Sequence, residues 1–108
     1  MLSTELLLTY IPCKSVDEAK ALAKLAIEQK LAACANIIPQ IYSLYTWDQK
    51  LCDDTETPLL LKTHRGVYAA LEAMITKHHS YSVPCILQLT PTSINAPYEA
   101  WLMGNLGL

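Results

Sequence analysis

The apolar positions of this chain follow two periods, one of two residues and one of about 3.6 residues, which are typical of strands and helices respectively. Segments of the first kind predict four strands, and segments of the second kind predict two main helices and a short last one. The predicted strands are Glu5–Ile11, Cys34–Trp47, Leu51–Thr63 and Val83–Leu89, and the predicted helices are Ser15 to Lys30 or Leu31, Gly66–His79, and Asn95 or Ala96 to Asn105.

Prolines and one capping pattern indicate where several of these elements begin, end or deform. Pro12 is expected to end the first strand, because proline has no N–H to donate to a sheet. Ser15 followed by Glu18 is a capping-box pattern, in which each side chain satisfies the other residue's backbone N–H. Pro39 is expected to cause a bulge or to mark an edge, and Pro58 to cause a second bulge.

The second and third strands are predicted to form a long hairpin that turns at Asp48-Gln49-Lys50. About 12 residues at ~3.3 Å each extend ~40 Å, whereas a domain of this length is roughly 35 Å across. The hairpin should therefore project beyond its own domain with Tyr42, Tyr45 and Trp47 on the projecting half. Apolar surface in water costs ~25 cal/mol per Å², so we expect another subunit to cover these side chains.

The element order is β-α-β-β-α-β followed by a short helix, which is the ferredoxin-like pattern of an α+β protein. We expect one domain over residues 1–108, with a four-stranded antiparallel sheet and both main helices on one face. The other face of the sheet also needs a cover, which again indicates an oligomer.

Composition excludes several classes of partner. Of the 108 residues, 52% are hydrophobic and only 17% are charged, and the net charge is -2. Nucleic acids and anionic membranes attract concentrated positive charge, so neither is expected as a partner. No apolar run approaches the ~20 residues of a membrane helix, and Met1–Tyr10 lacks the basic start and long apolar run of a signal peptide. We therefore expect a cytoplasmic protein.

The four cysteines are Cys13, Cys34, Cys52 and Cys85, and no two of them form a CxxC pair. A zinc knuckle or a thioredoxin-type motif is therefore not indicated. In the cytosol these residues should be reduced, and Cys34, Cys52 and Cys85 are expected to be mostly buried, as free cysteines usually are.

Five segments, in order along nearly the whole chain, carry a family resemblance. They include an aromatic hairpin of the Tyr-x-Trp type and a stretch similar to His-Pro-Tyr-x-x-Pro-x-Ile. The segments are Lys30–Pro39, Ser43–Lys50, Leu61–Thr63, His78–Ile86 and Tyr98–Leu102. Together they resemble the CutA divalent-cation tolerance proteins. The chain departs from that family's pattern at Gln49, Ser80 and Cys85, where the family usually has Gly, Pro and an acidic residue.

The resemblance implies a ferredoxin-like protomer in a homotrimer, similar in architecture to the PII signalling proteins. It also implies a role in tolerance of divalent metal cations, copper above all, with Cu²⁺ as a weakly bound or regulatory ion and no enzymatic activity. One alternative is a PII-like sensor that binds a small anion or nucleotide between subunits, although the chain has three glycines and no phosphate-binding loop. A second alternative, an enzyme with Cys85 as nucleophile and His79 as base, is the least favoured.

The candidate metal ligands are His78, His79 and Cys13. Imidazole suits copper, nickel and zinc at neutral pH, but adjacent helical residues point about 100° apart, so one chain rarely chelates with both. The alternative for His78 is packing on the apolar stripe of its helix. Some family members use a cysteine near the end of the first strand for copper. Ile11 stands there, unless the alignment shifts by one or two residues onto Cys13.

Three further groups of residues have both a binding and a structural interpretation. Asp54 and Glu56 lie at alternate strand positions and either bind a hard cation or stay hydrated. Lys62 either meets an anion between subunits or stays in water. Five aromatic residues either line a pocket or serve packing and subunit contact, namely Tyr45, Trp47, Tyr81, Tyr98 and Trp101.

Overall fold

A computed structural model describes residues 5–108 of the chain. The expectation about a signal peptide concerns in part residues 1–4, which lie outside the described residues. Within residues 5–108, no helix is long and apolar enough to cross a membrane. The elements are β1 (Leu6–Cys13), α1 (Val16–Glu28), β2 (Cys34–Ile37), β3 (Ile41–Trp47), β4 (Lys50–His64), a 3₁₀ turn (Arg65–Val67), α2 (Tyr68–His78), β5 (Leu87–Leu89) and α3 (Ala96–Asn105).

The strands form an antiparallel sheet in the order β2-β4-β1-β5, and β3 pairs with the first part of β4. The 15 residues of β4 pair first with β3, from Trp47 opposite Lys50 to Ile41 opposite Glu56. They then pair with β2, from Ile37 opposite Leu59 onward, and with β1 along the other edge. This arrangement confirms the predicted α+β fold with an antiparallel sheet and a C-terminal helix.

The main core lies between the helices and one face of the sheet. The buried side of α1 consists mostly of alanines, which allow its backbone to approach the strands closely. Residues of α2 complete this layer, and α3 forms a smaller cluster with Leu6. The fully buried large side chains of the main core include Ile11, Leu22, Leu59, Leu61, Leu71 and Ile75.

The opposite face of the sheet keeps apolar side chains in water. Leu87 and Leu89 are 49% and 46% exposed. They lie opposite Tyr10 and Leu8 of β1, on the other side of the sheet from Ile11, because neighbouring strand residues point to opposite faces. The exposure agrees with the expectation that this face needs a further cover.

The first strand does not end at Ile11 as predicted, but continues through Pro12 to Cys13. Pro12 lies directly opposite Pro58 in an uninterrupted antiparallel register. Opposite residues in such a pair exchange either two hydrogen bonds or none, so two prolines fit together where none is exchanged. The expected bulge at Pro58 is therefore wrong for the same reason.

Two other predicted strands are too long. Cys34–Trp47 is divided into β2 and β3, and the break falls at Pro39, where a bulge or an edge was expected. The last strand contains only Leu87–Leu89 instead of Val83–Leu89. Pro84, which has no N–H to donate to a ladder, lies in the part of the predicted strand that stays unpaired.

The hairpin, defined as β3 with residues 50–56 of β4, turns through two residues rather than the three predicted. Lys50 is already paired with Trp47, and Asp48 and Gln49 have φ angles of 51° and 63°. Positive φ at both positions is the requirement of a type I′ turn. The projecting hairpin contributes to a longest molecular dimension of 45 Å.

We expect Gln49→Gly to stabilise the protein, because a side chain in the left-handed region costs roughly 1–2 kcal/mol that glycine avoids. Greater flexibility of the unfolded chain offsets part of this gain, so the net effect should be about 0.5–1 kcal/mol. Thermal unfolding at fixed protein concentration measures it. Thr46→Gly, which places glycine in the adjoining strand, should lower the midpoint. A lower midpoint for Gln49→Gly would contradict the turn assignment.

Candidate metal site at the end of β1

Three potential ligand groups converge where β1, α1 and α2 meet. Cys13 ends β1, Glu18 lies in the first turn of α1, and His79 follows the last residue of α2. One ligand atom of each, a sulfur, a carboxylate oxygen and a ring nitrogen, lies within 4.8 Å of the other two. We call this group the Cys13 cluster.

The start of α1 positions Glu18. Ser15 caps the helix, and its hydroxyl oxygen accepts a hydrogen bond from the Glu18 N–H at 3.1 Å. This confirms the Ser15 half of the predicted capping box. The other half is wrong, because the Glu18 carboxylate accepts from the Lys14 N–H at 2.9 Å instead of the Ser15 N–H. Its second oxygen accepts from the Ser80 N–H at 2.7 Å.

These contacts keep Glu18 ionised at neutral pH. Burial favours the neutral carboxyl group and by itself raises its pKa. The hydrogen bonds from Lys14 and Ser80, together with the nearby His79, outweigh burial and lower the pKa below 4.5. A carboxylate therefore faces the cluster, with a His79 nitrogen 3.9 Å away.

Backbone groups hold both ring nitrogens of His79. The Tyr81 N–H donates to Nδ1 at 3.0 Å, so Nδ1 carries a lone pair, and Nε2–H then donates to the Pro12 carbonyl at 2.9 Å. The ring is buried and packs against the Tyr81 ring with centroids 4.7 Å apart. A cation bound at Nδ1 would replace the bond from Tyr81.

Cys13 is fully buried, and its thiol donates to the Ile11 carbonyl at 3.5 Å. Burial, followed by the negative charges of Glu18 and Glu56, raises the pKa of the thiol to about 12. The sulfur is therefore protonated at neutral pH, and a metal ion that binds it must displace the proton. Thiolate and imidazole ligands suit copper or zinc far better than magnesium or calcium.

The structure brings together two of the three predicted ligands, Cys13 and His79. His78 does not join them, and its predicted packing on the apolar stripe of α2 is wrong, because its side chain is exposed. The helix ends at His78. The backbone of His79 is extended (φ -70°, ψ 144°), and the His79 side chain points inward. Glu18 was missed as a potential ligand because its spacing from Ser15 indicated only a cap.

Comparison with known proteins identifies a family for this chain. The family model described as CutA1 divalent ion tolerance protein matches residues 7–105. The chain belongs to this CutA1 family.

Individual relatives show how far the similarity extends. The divalent-cation tolerance protein CutA of Thermus thermophilus is 36% identical over 103 residues, which cover 95% of this chain and 98% of the relative. The Protein CutA homolog of Xenopus laevis is 40% identical over 93 residues, which cover 86% of this chain and 62% of the relative. The chain therefore spans less than two thirds of the length of the Xenopus laevis relative.

A solved structure supports the fold of this CutA1 family member. CutA from Synechococcus elongatus superimposes with a TM-score of 0.93 at 32% identity, covering 98% of this chain and 94% of that one. No enzymatic activity is named for the family model or for these relatives.

Three of the five aromatic residues line a pocket in this CutA1 family member. Tyr45, Trp47 and Tyr81 border a cavity of about 380 Å³ along one face of the hairpin, which we call the hairpin pocket. Tyr98 and Trp101 stack on each other with centroids 5.4 Å apart, which agrees with the packing interpretation.

Asp54, Glu56 and Lys62, for which a binding and a structural interpretation were both open, form hydrogen bonds with tyrosines. Asp54 accepts a hydrogen bond from the Tyr45 hydroxyl at 2.6 Å, and Glu56 accepts from the Tyr81 hydroxyl at 2.9 Å. Lys62 is half-buried and donates to the Tyr98 hydroxyl at 3.2 Å. Asp54 is exposed, which agrees with the hydrated interpretation, whereas the bond of Lys62 to Tyr98 differs from the expected free lysine.

The four cysteines are free thiols, but their expected burial is only partly correct. Cys34 and Cys52 are half-buried, and Cys85 is exposed. Cys85 borders the hairpin pocket, whereas both nitrogens of His79 are bonded to backbone groups. His79 is thus not positioned as a free base for the Cys85 thiol.

Proposed function

We propose that this CutA1 family protein acts in tolerance of divalent metal cations by binding a copper ion at the Cys13 cluster. The observation that carries the proposal is the convergence of Cys13, Glu18 and His79, with ligand atoms within 4.8 Å of one another, from three separate elements.

Charge balance supports a divalent ion at this place. A Cys13 thiolate and the Glu18 carboxylate together carry two negative charges, which a divalent cation neutralises in a buried environment. The imidazole of His79 adds a neutral donor that copper prefers. Binding releases the thiol proton, so affinity should increase with pH.

We further propose that the protein works as a cytoplasmic homotrimer. Its support is the apolar surface that one chain leaves in water, which is concentrated on the hairpin and on the face of the sheet opposite α1 and α2. The exposed side chains there include Tyr42, Leu44, Leu51, Leu87 and Leu89. Light scattering should give about three times the chain mass of 12.0 kDa, and fractionation of cells should place the chain with soluble cytoplasmic proteins.

We expect Cys13→Ser and His79→Asn each to lower copper affinity at least tenfold, which is ~1.4 kcal/mol. Serine keeps a donor for the Ile11 carbonyl, and asparagine keeps an acceptor for the Tyr81 N–H, so both variants should fold. Competition for Cu²⁺ against a chromophoric chelator measures the affinity, and the same titration with Zn²⁺, which cannot oxidise the thiol, shows that a loss reflects binding rather than oxidation.

His78→Ala is the matched control, because His78 is adjacent in sequence but exposed. Its affinity should equal that of the unchanged protein. Equal losses in His78→Ala and His79→Asn, or full affinity in Cys13→Ser, would place copper elsewhere. Calorimetry with ATP and AMP tests the PII-like alternative, which a nucleotide heat without a copper heat would favour.

A further inference from the structure

The loop between α2 and β5 directs two consecutive backbone N–H groups at the Cys13 cluster. The Ser80 N–H donates to Oε2 of Glu18 at 2.7 Å, and the Tyr81 N–H donates to Nδ1 of His79 at 3.0 Å. These two acceptor atoms lie 3.9 Å apart and belong to two of the three converging ligand residues. The same loop therefore occupies a lone pair on each of them.

The two acceptor atoms differ in whether they can keep their N–H donor when a cation binds. A carboxylate oxygen has more than one lone pair, so Glu18 can bind a cation and still accept from Ser80. Nδ1 of a neutral imidazole has a single lone pair, so the Tyr81 N–H and a cation exclude each other there. The bond from Nε2–H to the Pro12 carbonyl is compatible with both, because a ligating histidine usually donates its other N–H to such an acceptor.

Two side-chain contacts hold Tyr81 where its N–H reaches His79. The Tyr81 hydroxyl donates to Glu56 of β4 at 2.9 Å, and the Tyr81 ring packs against the His79 ring. Burial, followed by the bond to Glu56, raises the pKa of this hydroxyl, so it stays a donor at neutral pH. Residues 79–86 have no helix or strand, so these contacts rather than secondary structure position Tyr81.

The contacts of Tyr81 therefore oppose cation binding at Nδ1. A cation binds only those molecules in which the Tyr81 N–H has left the ring, and the apparent affinity is reduced by the fraction of such molecules. A contact that holds Tyr81 in place lowers the affinity, and a substitution that loosens Tyr81 raises it. The opposite sign is expected of a residue that merely supports the site, because loosening a support weakens binding.

We propose that Tyr81 regulates the Cys13 cluster by competition: its backbone N–H competes with the cation for Nδ1 of His79, and its hydroxyl bond to Glu56 strengthens that competition. Cation binding then releases the Tyr81 N–H from the ring and leaves the Ser80 N–H on Glu18. This competition rests on the proposed copper function, and it assigns control of the affinity to a residue that is not itself a ligand.

Tyr81→Phe tests the competition, because it removes the hydroxyl bond to Glu56 and keeps the ring that packs on His79. In chelator competition for Cu²⁺ and for Zn²⁺, with the native assembly, the variant should bind at least about threefold more tightly than the unchanged protein. Tyr45→Phe is the matched control, since it removes a hydroxyl bond to Asp54 within the hairpin and should leave the affinity unchanged. Equal or weaker binding by Tyr81→Phe, or an equal gain in Tyr45→Phe, would overturn the proposal.

Amide hydrogen exchange, followed by NMR, tests the release of Tyr81 without any substitution. Addition of Zn²⁺ should raise the exchange rate of the Tyr81 amide at least about tenfold, because the amide loses its acceptor. The Ser80 amide of the same loop is the internal control and should stay protected by Glu18. Unchanged or slower exchange at Tyr81 after Zn²⁺ addition would show that the N–H and the cation do not compete.

Failure of the proposed copper function has a different signature. It would remove the affinity losses expected of Cys13→Ser and His79→Asn. Failure of the competition would leave those two losses in place and remove only the gain in Tyr81→Phe and the faster exchange of the Tyr81 amide. Circular dichroism and the thermal midpoint of each variant show that it is folded.

Discussion

Leu44→Ala/Leu51→Ala should dissociate the proposed trimer into smaller species at micromolar concentration. Leu44 and Leu51 are 65% and 75% exposed in a single chain. The register of β3 and β4 places them, with Tyr42, on one face of the hairpin. Burying a leucine contributes about 1.5–3 kcal/mol, and a cyclic trimer repeats the loss in each of its three copies.

Sedimentation velocity measures this result, with circular dichroism as a check that the protomer keeps its secondary structure. Ile27→Ala is the matched control, because Ile27 is also an exposed aliphatic residue, 44% exposed, but lies on α1 away from the hairpin. It should leave the assembly intact. If the double variant sediments like the unchanged protein, the hairpin face is not the subunit interface.

Glu18→Ala should lower the free energy of unfolding by about 3 kcal/mol at neutral pH. The Glu18 carboxylate accepts hydrogen bonds from the Lys14 and Ser80 N–H groups, and only 9% of the side chain is exposed. A hydrogen bond to a charged group contributes about 1.5–3 kcal/mol. The bond to Ser80 also connects the start of α1 to the loop after α2.

This contribution should depend on pH in a defined direction. Burial opposes ionisation of Glu18, but the hydrogen bonds from Lys14 and Ser80 prevail and lower its pKa from 4.5 in the folded chain. Below pH 4.5 the unfolded chain therefore binds more protons, and stability falls with falling pH until the folded carboxylate is protonated as well. Above that range the contribution is fully present.

Urea unfolding at fixed protein concentration, repeated across this pH range, measures the effect. Glu18→Gln should lose the part of the acid dependence that Glu18 causes. Asp17→Ala serves as control, because Asp17 is an exposed acid in the same helical turn and should cost less than ~1 kcal/mol. A Glu18→Ala variant as stable as Asp17→Ala would show that the two hydrogen bonds contribute little.

The hydrophobic pattern was sufficient to predict the order of the elements and the α+β class, because periods of two and 3.6 residues arise from local backbone geometry. Local signals were also sufficient at Ser15, which caps α1 as expected, and at Pro39, where the long strand divides. The predictions at Pro12 and Pro58 were wrong, because the effect of a proline on a sheet depends on which residue lies opposite it.

The candidate site shows the other limit. Sequence identified Cys13 and His79 by their chemistry, but Glu18 was assigned to helix capping alone, and His78 was ranked with His79. Only the tertiary structure shows that Cys13, Glu18 and His79 converge, because such a cluster depends on where side chains from distant segments meet. The end of α2 at His78 turns His79 inward to the Pro12 carbonyl.

Burial and hydrogen bonding then determined the chemistry of each group. The amino-acid sequence by itself specified a cysteine, a glutamate and a histidine, whose ordinary pKa values apply in water. The fold raises the pKa of Cys13 and lowers that of Glu18, because it removes water from one and supplies backbone N–H groups to the other. It likewise left Cys85 exposed beside the hairpin pocket, since exposure is set by packing that no local pattern encodes.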